Sequence, residues 1–414
     1  MWPGAGPLAA TAGRNESSIA IGELVVQLNG RAGDGGSRLN DTEKAVLLEI
    51  VGGSSSLRST LSERLSLSKA TVFGAVKRLQ QAGLVVAYDT IQVGAGRPAS
   101  VLRAAVEAGA NLGLDLGTTC VRIRAAALDG RVLAEAERPV RPSNAEIGNG
   151  AVRAACSLAT TTGEVLRALG APVRSCVVAA PIRVQVGEPL PTRLDPVLDA
   201  LGSMPAHRDF HVEVENNVNC AAVAEGAVGV ASGCETFALL QVGVKIGLGV
   251  IYEGQLFRGG RGGAGEVAYL PFPWLPDQPA RRMSLETYLG SSSLADRANA
   301  AANLNRRGSL DAKSLFALAD GGDLSALRFV QAYAREIGRL AAAVVAVIDP
   351  PLVVLGGGVG QNPMLLEGVR ETVGELTWET AVETGVLGQR ATVLGAAELA
   401  LRSSLAQVLA ASYR

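Results

Sequence analysis

The apolar positions of this chain follow a helical period up to about residue 83 and a strand-like pattern beyond it. The helical period predicts three short helices, over residues 41–51, 58–65 and 69–82. In the third, Val72, Val76 and Leu79 recur at helical spacing, so they are expected to face inward. Ser68 is a candidate cap for its start, and Gly83 marks its end.

The opposite face of the third helix is polar and basic. Lys69, Phe73 and Lys77 share this outer face, with Thr71 and Arg78 at its margins. In a helix-turn-helix protein, the helix at this position enters the major groove and reads bases from its N-terminal half. The pattern therefore predicts a recognition helix.

Two strand-like runs follow, over residues 84–88 and 100–103, and a turn rich in Gly and Pro separates them. Three helices and a hairpin are typical of a winged helix-turn-helix, which we predict over residues 39–104. Arg97, between Gly96 and Pro98, would lie at the wing tip, where it can enter a narrow minor groove.

Charge supports this interpretation only locally. The 414-residue chain carries 38 basic and 39 acidic residues, so its total charge indicates no polyelectrolyte partner. Between residues 54 and 104, however, seven basic residues face two acidic ones, a net charge of +5. The alternative is a solvated helical domain with ordinary surface lysines. We predict double-stranded DNA as the partner, contacted by Ser68, Lys69, Thr71, Phe73, Lys77, Arg78 and Arg97.

The long remainder of the chain is organised around Gly-centred turns that follow apolar strands. The first, Asp115-Leu116-Gly117-Thr118, is of the kind that presents backbone N–H groups and a hydroxyl to phosphate. Alone it is a weak signal, because many glycine hairpins look similar. Further segments of related character follow in order, over residues 177–181, 215–225, 243–249, 262–269, 352–359 and 394–397.

Together, in this order, these segments resemble the ROK family of repressors, open reading frames and sugar kinases. The resemblance covers residues 112 to about 400, and the helical segment before it matches the family's repressor branch. It implies an α/β ROK domain over residues 110–405, with two lobes of the actin-like ATPase (ribonuclease H-like) fold around a cleft. It also implies a homodimer or homotetramer that loses affinity for DNA when a sugar or sugar phosphate closes the cleft.

The chain departs from the kinases of this family at the position of their catalytic aspartate, which is Asn217. An amide cannot accept a proton from a sugar hydroxyl, so phosphoryl transfer loses its base. In the second phosphate loop, Val244 and Lys245 replace small residues. Lys245 either pairs with a phosphate as a point charge or lies at a solvated hairpin tip. We therefore predict no catalytic residue and no enzyme.

The zinc site that the resemblance implies has lost its ligand types. Tyr269 stands at the histidine position, and residues 279–286 contain no cysteine where the family has three. We expect neither a metal nor another cofactor. Packing is predicted to hold this loop instead, through Phe272, Trp274, Met283 and Leu285.

Five positions are predicted to bind a carbohydrate-like effector. Asn216, Glu266 and Glu286 match residues that contact sugar hydroxyls in the family. Asn217 can both donate and accept a hydrogen bond, and Tyr269 can stack on a pyranose ring. The alternative is that the two glutamates make only structural contacts.

Residues 1–38 are predicted to be a disordered tail and linker with one possible short helix. The five cysteines form no C-x-x-C pair, which favours reduced thiols in a cytoplasmic protein. No uninterrupted apolar run reaches the ~18 residues of a membrane span, and we see no signal peptide. The favoured function is a DNA-binding transcriptional repressor. A regulator without an effector and an active sugar kinase remain as alternatives.

Overall fold

The computed structural model describes residues 37–53, 57–92, 98–117, 119–140, 150–185, 192–202, 211–273, 277–301 and 309–413. The chain divides into two compact units. The first comprises Met1–Ala105 with Leu409–Arg414, and the second comprises Val106–Val408. The tail predicted over residues 1–38 lies almost wholly outside the described residues.

In its described residues, the first unit contains three helices and two small antiparallel sheets. Strands β2 and β3 form a hairpin with an irregularity between Ala87 and Asp89, and the terminal strands β1 and β14 pair with each other. The elements are β1 (Ser37–Arg38), α1 (Asp41–Val51), α2 (Arg58–Arg64), α3 (Lys69–Gln81), β2 (Val85–Ile91), β3 (Ala99–Ala104) and β14 (Ser412–Tyr413).

Side-chain caps begin two of these helices. The Asn40 side chain accepts from the Glu43 N–H at 2.9 Å, and the Glu43 carboxylate accepts from the Asn40 N–H at 2.9 Å. This reciprocal capping box starts α1.

The predicted inward face of α3 is confirmed, because its three apolar residues and Ala75 are completely buried.

The second unit is built on two five-stranded sheets of the same topology. The first sheet has the order β6-β5-β4-β7-β8 and the second β11-β10-β9-β12-β13. In each, three antiparallel strands are followed by two strands parallel to the first. The mixed α/β fold predicted for this part is confirmed.

The strands of the first sheet are β4 (Ala110–Leu116), β5 (Cys120–Ala127), β6 (Val132–Pro139), β7 (Val173–Ala180) and β8 (His211–Asn216). Those of the second are β9 (Phe237–Val242), β10 (Ile246–Tyr252), β11 (Gln255–Leu256), β12 (Leu352–Gly356) and β13 (Ala381–Thr384). The helices are α4 (Gly150–Leu169), α5 (Asp195–Gly202), α6 (Asn217–Val228), α7 (Ser284–Leu289), α8 (Ser291–Ala300), α9 (Ala312–Asp320), α10 (Leu324–Ile348), α11 (Gly357–Gly360), α12 (Pro363–Leu376) and α13 (Ala391–Ala410). Short 3₁₀ turns occupy Val106–Ala108, Thr192–Leu194, Val267–Tyr269 and Gly388–Arg390.

Each sheet has its own apolar core, which defines two lobes. Leu158 of α4 is buried with the strands of the first sheet, and Tyr333 of α10 is buried with those of the second. Because the two clusters are separate, the lobes are joined by the elements that pass between them.

Two helices make that connection, and each packs against the sheet from which it does not start. Helix α6 follows β8 of the first sheet, yet its Val218 contacts Gly247 of β10 in the second. Helix α13 follows β13 of the second sheet, yet its backbone at Ala397 lies against Gly113 of β4 in the first. The two helices therefore form the crossing between the lobes.

The C-terminal helix is also the most apolar long helix. Within the described residues, Gly388–Ala410 is the one segment long and apolar enough, by length and composition, to cross a membrane. In its most apolar 18-residue window, 56% is buried inside the protein.

Candidate functional site

The first candidate surface is the outer face of α3. Lys69, Thr71, Phe73 and Lys77 are all exposed there, and Phe73 retains 58% of its accessible surface. Four of the predicted contact residues thus share one solvent-facing surface. Arg97, predicted at the wing tip, lies outside the described residues.

The start of α3 is fixed by two hydroxyl groups. The Ser68 hydroxyl accepts from the Thr71 N–H at 3.1 Å and lies 2.7 Å from the Thr71 hydroxyl. The predicted cap is confirmed. Both hydroxyls are engaged locally, so they hold the end of the helix and can reach a partner only while keeping these contacts.

Two of the basic side chains counted in the sequence are paired with acidic residues of α1. Arg78 forms an ion pair with the buried Glu43, and Arg64 Nε lies 2.7 Å from Glu49 Oε2. Both acids lie before residue 54, so they are not included in the net charge of +5 for residues 54–104. Over residues 39–104 there are eight basic and five acidic residues, so the net charge is +3.

Arg58 of α2 adds a basic group that the sequence patterns did not single out. Its guanidinium lies 5.5 Å from the centroid of the Phe73 ring. A cation at this distance is attracted by the negative face of the ring. Arg58 therefore belongs to the same surface as Phe73, although it comes from the preceding helix.

The second candidate site surrounds the start of α6. The Asn216 side-chain oxygen accepts from the Val218 N–H at 2.7 Å, and its Nδ2 donates to the Ile182 carbonyl at 2.9 Å. Asn216 is therefore the N-cap of α6. One N–H of its amide is left to contact a ligand. Asn216 can therefore offer a sugar fewer hydrogen bonds than the sequence resemblance implies.

Asn217 is the first residue of α6 and is half-buried. Its backbone carbonyl accepts from the Thr392 hydroxyl of α13 at 3.5 Å. Within the described part of the chain, its side-chain amide forms no hydrogen bond. This amide is thus available to a ligand.

Glu215 immediately before the cap is a polar centre that the sequence patterns missed. Its buried carboxylate accepts from Arg258 Nε at 2.6 Å and from Asn219 Nδ2 at 2.9 Å. Glu215 belongs to β8 in the first lobe, whereas Arg258 follows β11 in the second. This ion pair therefore joins the lobes.

Asp115, at the predicted phosphate turn, is held by an internal cation. Arg122 Nη1 lies 3.4 Å from Asp115 Oδ2, and Arg122 Nη2 lies 3.1 Å from Glu137 Oε1 and 2.8 Å from Gln389 Oε1. Burial raises the pKa of Asp115 to about 6, although Arg122 opposes the rise. The carboxylate at the predicted phosphate turn is thus already paired with a cation inside the fold.

Glu266 and Glu286 lie close enough to influence each other electrostatically. Burial is the largest cause that raises the pKa of Glu266, and Glu286 raises it further, whereas Arg183 and Lys245 lower it. Tyr269 is 44% exposed, and the Arg282 guanidinium lies 5.3 Å from its ring centroid. Its ring is thus partly covered by a cation.

Strand β10 links the two parts of this site. Gly247 contacts Val218 of α6, and the next residue, Leu248, donates its N–H to the Gly265 carbonyl at 3.2 Å. The segment with Asn217 and the segment with Glu266 therefore pack against neighbouring positions of one strand.

Apolar packing holds the loop in which the sequence resemblance implies a lost zinc site. Leu285 is buried in the core of the second lobe, and Phe272 and Met283 pack against that core. The rings of Phe272 and Tyr288 are 4.8 Å apart. Trp274, the fourth predicted anchor, lies outside the described residues.

Comparison with known proteins decides the family. The model of the ROK family matches residues 111–403. The chain belongs to the ROK family. The match covers both sheets and both crossing helices, so it accounts for nearly all of the second unit.

Three relatives illustrate the similarity. The xylose repressor of Bacillus subtilis is 22% identical over 381 residues, which are 87% of this chain and 94% of that protein. The bifunctional enzyme NanE/NanK of Brucella suis is 31% identical over 191 residues, 46% of this chain and 34% of that enzyme. A crystal structure of a ROK family transcriptional regulator, a homolog of the E. coli MLC protein, has a TM-score of 0.66 at 18% identity and covers 89% of this chain and 96% of its own.

These relatives differ in how much they share with this ROK protein. The chain spans about a third to a half of the length of the first curated relatives it matches. The similarity to the repressor and to the regulator structure instead extends over most of both chains. At 18% identity the latter shows the fold alone.

Proposed function

We propose that this ROK protein is a sequence-specific, double-stranded-DNA-binding transcriptional regulator that represses its target genes. The observation that carries the proposal is the exposed face of α3, where Lys69, Phe73 and Lys77 stand beside Arg58. Similarity to the xylose repressor over 87% of the chain supports it, because this match extends beyond the ROK segment. The protein would act in the cytoplasm as a homodimer or homotetramer.

In this proposal residues 39–104 form a winged helix-turn-helix, and α3 enters the major groove. Lys69 and Lys77 would contact phosphates or guanine edges, and Phe73 would contact a thymine methyl group. Ser68 and Thr71 would place the capped helix end near the backbone. Arg97 would add a minor-groove contact from the wing, whereas Arg78 would contribute from its ion pair with Glu43.

We propose the ROK domain, residues 110–405, as an inactive kinase fold that senses a sugar, amino sugar or sugar phosphate. Asn217 cannot serve as a general base, and Asp115 is engaged by Arg122. Ligand hydroxyls would bind the free amide of Asn217 and the carboxylates of Glu266 and Glu286. Tyr269 would stack on the sugar ring, and Asn216 would contribute its remaining N–H.

Closing the cleft would move one lobe against the other about the crossing of α6 and α13. In an oligomer this would change the match between paired winged helices and paired half-sites. A coupling of about 1–3 kcal/mol between effector and DNA would be sufficient.

The decisive experiment begins by selecting a binding site for the full chain from a random pool of duplexes. Binding is then measured across a salt titration for the parent, Lys69→Ala and Lys77→Ala. Lys313→Ala, an exposed lysine of α9, is the matched control. We expect the α3 variants to bind more weakly with a shallower salt dependence, and the control to match the parent.

Three results would point elsewhere. Unchanged binding in both α3 variants would remove α3 from the interface. Release of ADP from ATP and a sugar, abolished by Asp115→Ala, would instead identify an active kinase. If DNA binds but no sugar changes its affinity, the ROK domain would be a scaffold without an effector.

A further inference from the structure

Two exposed basic side chains lie near Glu266. Lys245 lies in the exposed turn between β9 and β10, and Arg183 lies just after β7. Both are exposed. Among the described residues, neither side chain forms a hydrogen bond or an ion pair, although both side chains act electrostatically on Glu266.

Backbone packing brings Arg183 to the loop that leads to Glu266. Gly262 has a φ of 71°, and a Cβ there would overlap the Val184 carbonyl oxygen. Arg183 Nη1 lies 3.7 Å from the position of a Cβ on the next residue, Gly263. Only glycine allows this approach, so the Arg183 segment of the first lobe lies directly against residues 262–265 of the second.

Equivalent packing brings Lys245 to Glu286. The Ser291 N–H donates to the Gly243 carbonyl at 2.8 Å, and a Cβ on Gly290 would lie 2.7 Å from the Val244 carbonyl oxygen. The Gly290 N–H donates to the Glu286 carbonyl at 2.8 Å. The turn with Lys245 is thus fixed against the junction of α7 and α8.

Two carboxylates and two cations therefore converge from four chain segments. A neutral sugar needs the carboxylates as acceptors for its hydroxyl groups, and it lacks the charged oxygen acceptors that a guanidinium and an ammonium group bind most strongly. A phosphate or carboxylate on the sugar would supply those acceptors. We infer that Lys245 and Arg183 form an anion subsite beside Glu266, and that the effector is a carbohydrate bearing an anionic group. This inference rests on the effector-sensing role proposed above.

The subsite also has a consequence for closure. Arg183 belongs to the first lobe and Lys245 to the second. An anion bound by both would connect the lobes on the side of the site that faces solvent. An anionic sugar would therefore favour the closed arrangement more strongly than its neutral counterpart.

The experiment measures binding to the full chain by titration calorimetry with paired ligands. The pairs are glucose, mannose and N-acetylglucosamine, each with its 6-phosphate. Glucuronate separates a carboxylate from a phosphate ester. We expect at least one charged member to bind about tenfold or more tightly than its neutral partner. The preference should shrink as salt is added.

The variant Lys245→Met/Arg183→Gln removes both charges at similar side-chain length, and it should lose the preference for the charged ligand. Arg261→Gln is the matched control, because Arg261 is exposed in the same loop and is not among the charges acting on Glu266. It should keep the preference.

Each remaining outcome overturns the subsite. If neutral and charged sugars bind equally, the subsite is wrong while sugar sensing stands. A preference that survives in the double variant places the anion elsewhere. If the double variant binds neutral and charged sugars more weakly to the same extent, the two cations only balance the negative charges of Glu266 and Glu286. If no ligand binds, the subsite and the effector role fall together, while DNA binding is judged by its own assay.

Discussion

Gly395 of α13 lies so close to Cys220 of α6 that a Cβ on Gly395 would overlap the Cys220 carbonyl oxygen. Here the two helices that cross between the lobes touch through their backbones. Glycine is required at this point because any side chain would force the helices apart. The contact therefore sets the geometry at which the two helices cross.

We predict that Gly395→Ala destabilises the protein by about 1–3 kcal/mol or more, the usual cost of overpacking a tight interior. Urea denaturation followed by circular dichroism measures this loss. The proposed effect of a sugar on DNA affinity should also weaken, because the crossing is displaced.

Gly374→Ala is the matched control. Gly374 also lies inside a helix, α12, but a Cβ there meets nothing within 4 Å. Its replacement should leave stability unchanged or raise it by about 0.5–1 kcal/mol, since alanine is the better helix former. Equal losses in the two variants would mean that the contact at Gly395 is not special.

The pH dependence of stability provides a second prediction, centred on Asp115. Its pKa is raised to about 6 in the folded protein, chiefly by burial, from an ordinary value of 3.8. The folded state therefore binds the proton more tightly than the unfolded state. The contribution of Asp115 to stability is full below about pH 4 and is lost as pH rises through 6.

Asp115→Asn should remove this contribution while preserving the shape of the side chain. The loss of unfolding free energy between pH 4 and pH 7 should be smaller in the variant than in the parent. Other carboxyl groups titrate in both proteins and cancel in the difference. Parallel pH profiles would show that the Asp115 carboxyl has an ordinary pKa.

Local periodicity predicted much of this structure. The buried face of α3 and the Ser68 cap depend on residues three or four positions apart, so the sequence pattern contains them directly. The glycine-centred turns of the ROK domain were likewise visible as short segments in a fixed order.

Contacts between distant segments could not be read in this way. Gln389 meets Arg122 across 267 positions, and Arg64 meets Glu49 from a different helix. These pairs depend on how helices and sheets pack, which no local period encodes. The role of Asn216 as a helix cap was also missed, because the same residue type suits either a cap or a sugar contact.

The third prediction concerns Phe73. If its ring contacts a thymine methyl group, replacing that thymine with deoxyuridine should weaken binding of the parent protein by about 0.8 kcal/mol, roughly fourfold. Phe73→Ala should bind both duplexes equally. Fluorescence anisotropy on the selected duplex, with each thymine replaced in turn, measures the difference.

Lys69→Ala separates this contact from general electrostatic attraction. A lost phosphate contact should weaken binding to both duplexes alike and reduce the salt slope by about 1. The fourfold preference for thymine should persist. If Phe73→Ala keeps the preference as well, another side chain reads the methyl group.

Asn217→Asp provides the last prediction, because the sequence resemblance implies an aspartate at this position in the kinases of the family. The variant should fold normally, since a carboxylate in the first turn of α6 interacts favourably with the helix dipole. It should nevertheless release no ADP above background from ATP and a sugar panel. Adding a base leaves Asp115 in its ion pair with Arg122. It also leaves the side chains of Val244 and Lys245 in the second phosphate loop. Sustained turnover by Asn217→Asp would show that the amide alone separates this protein from an active kinase.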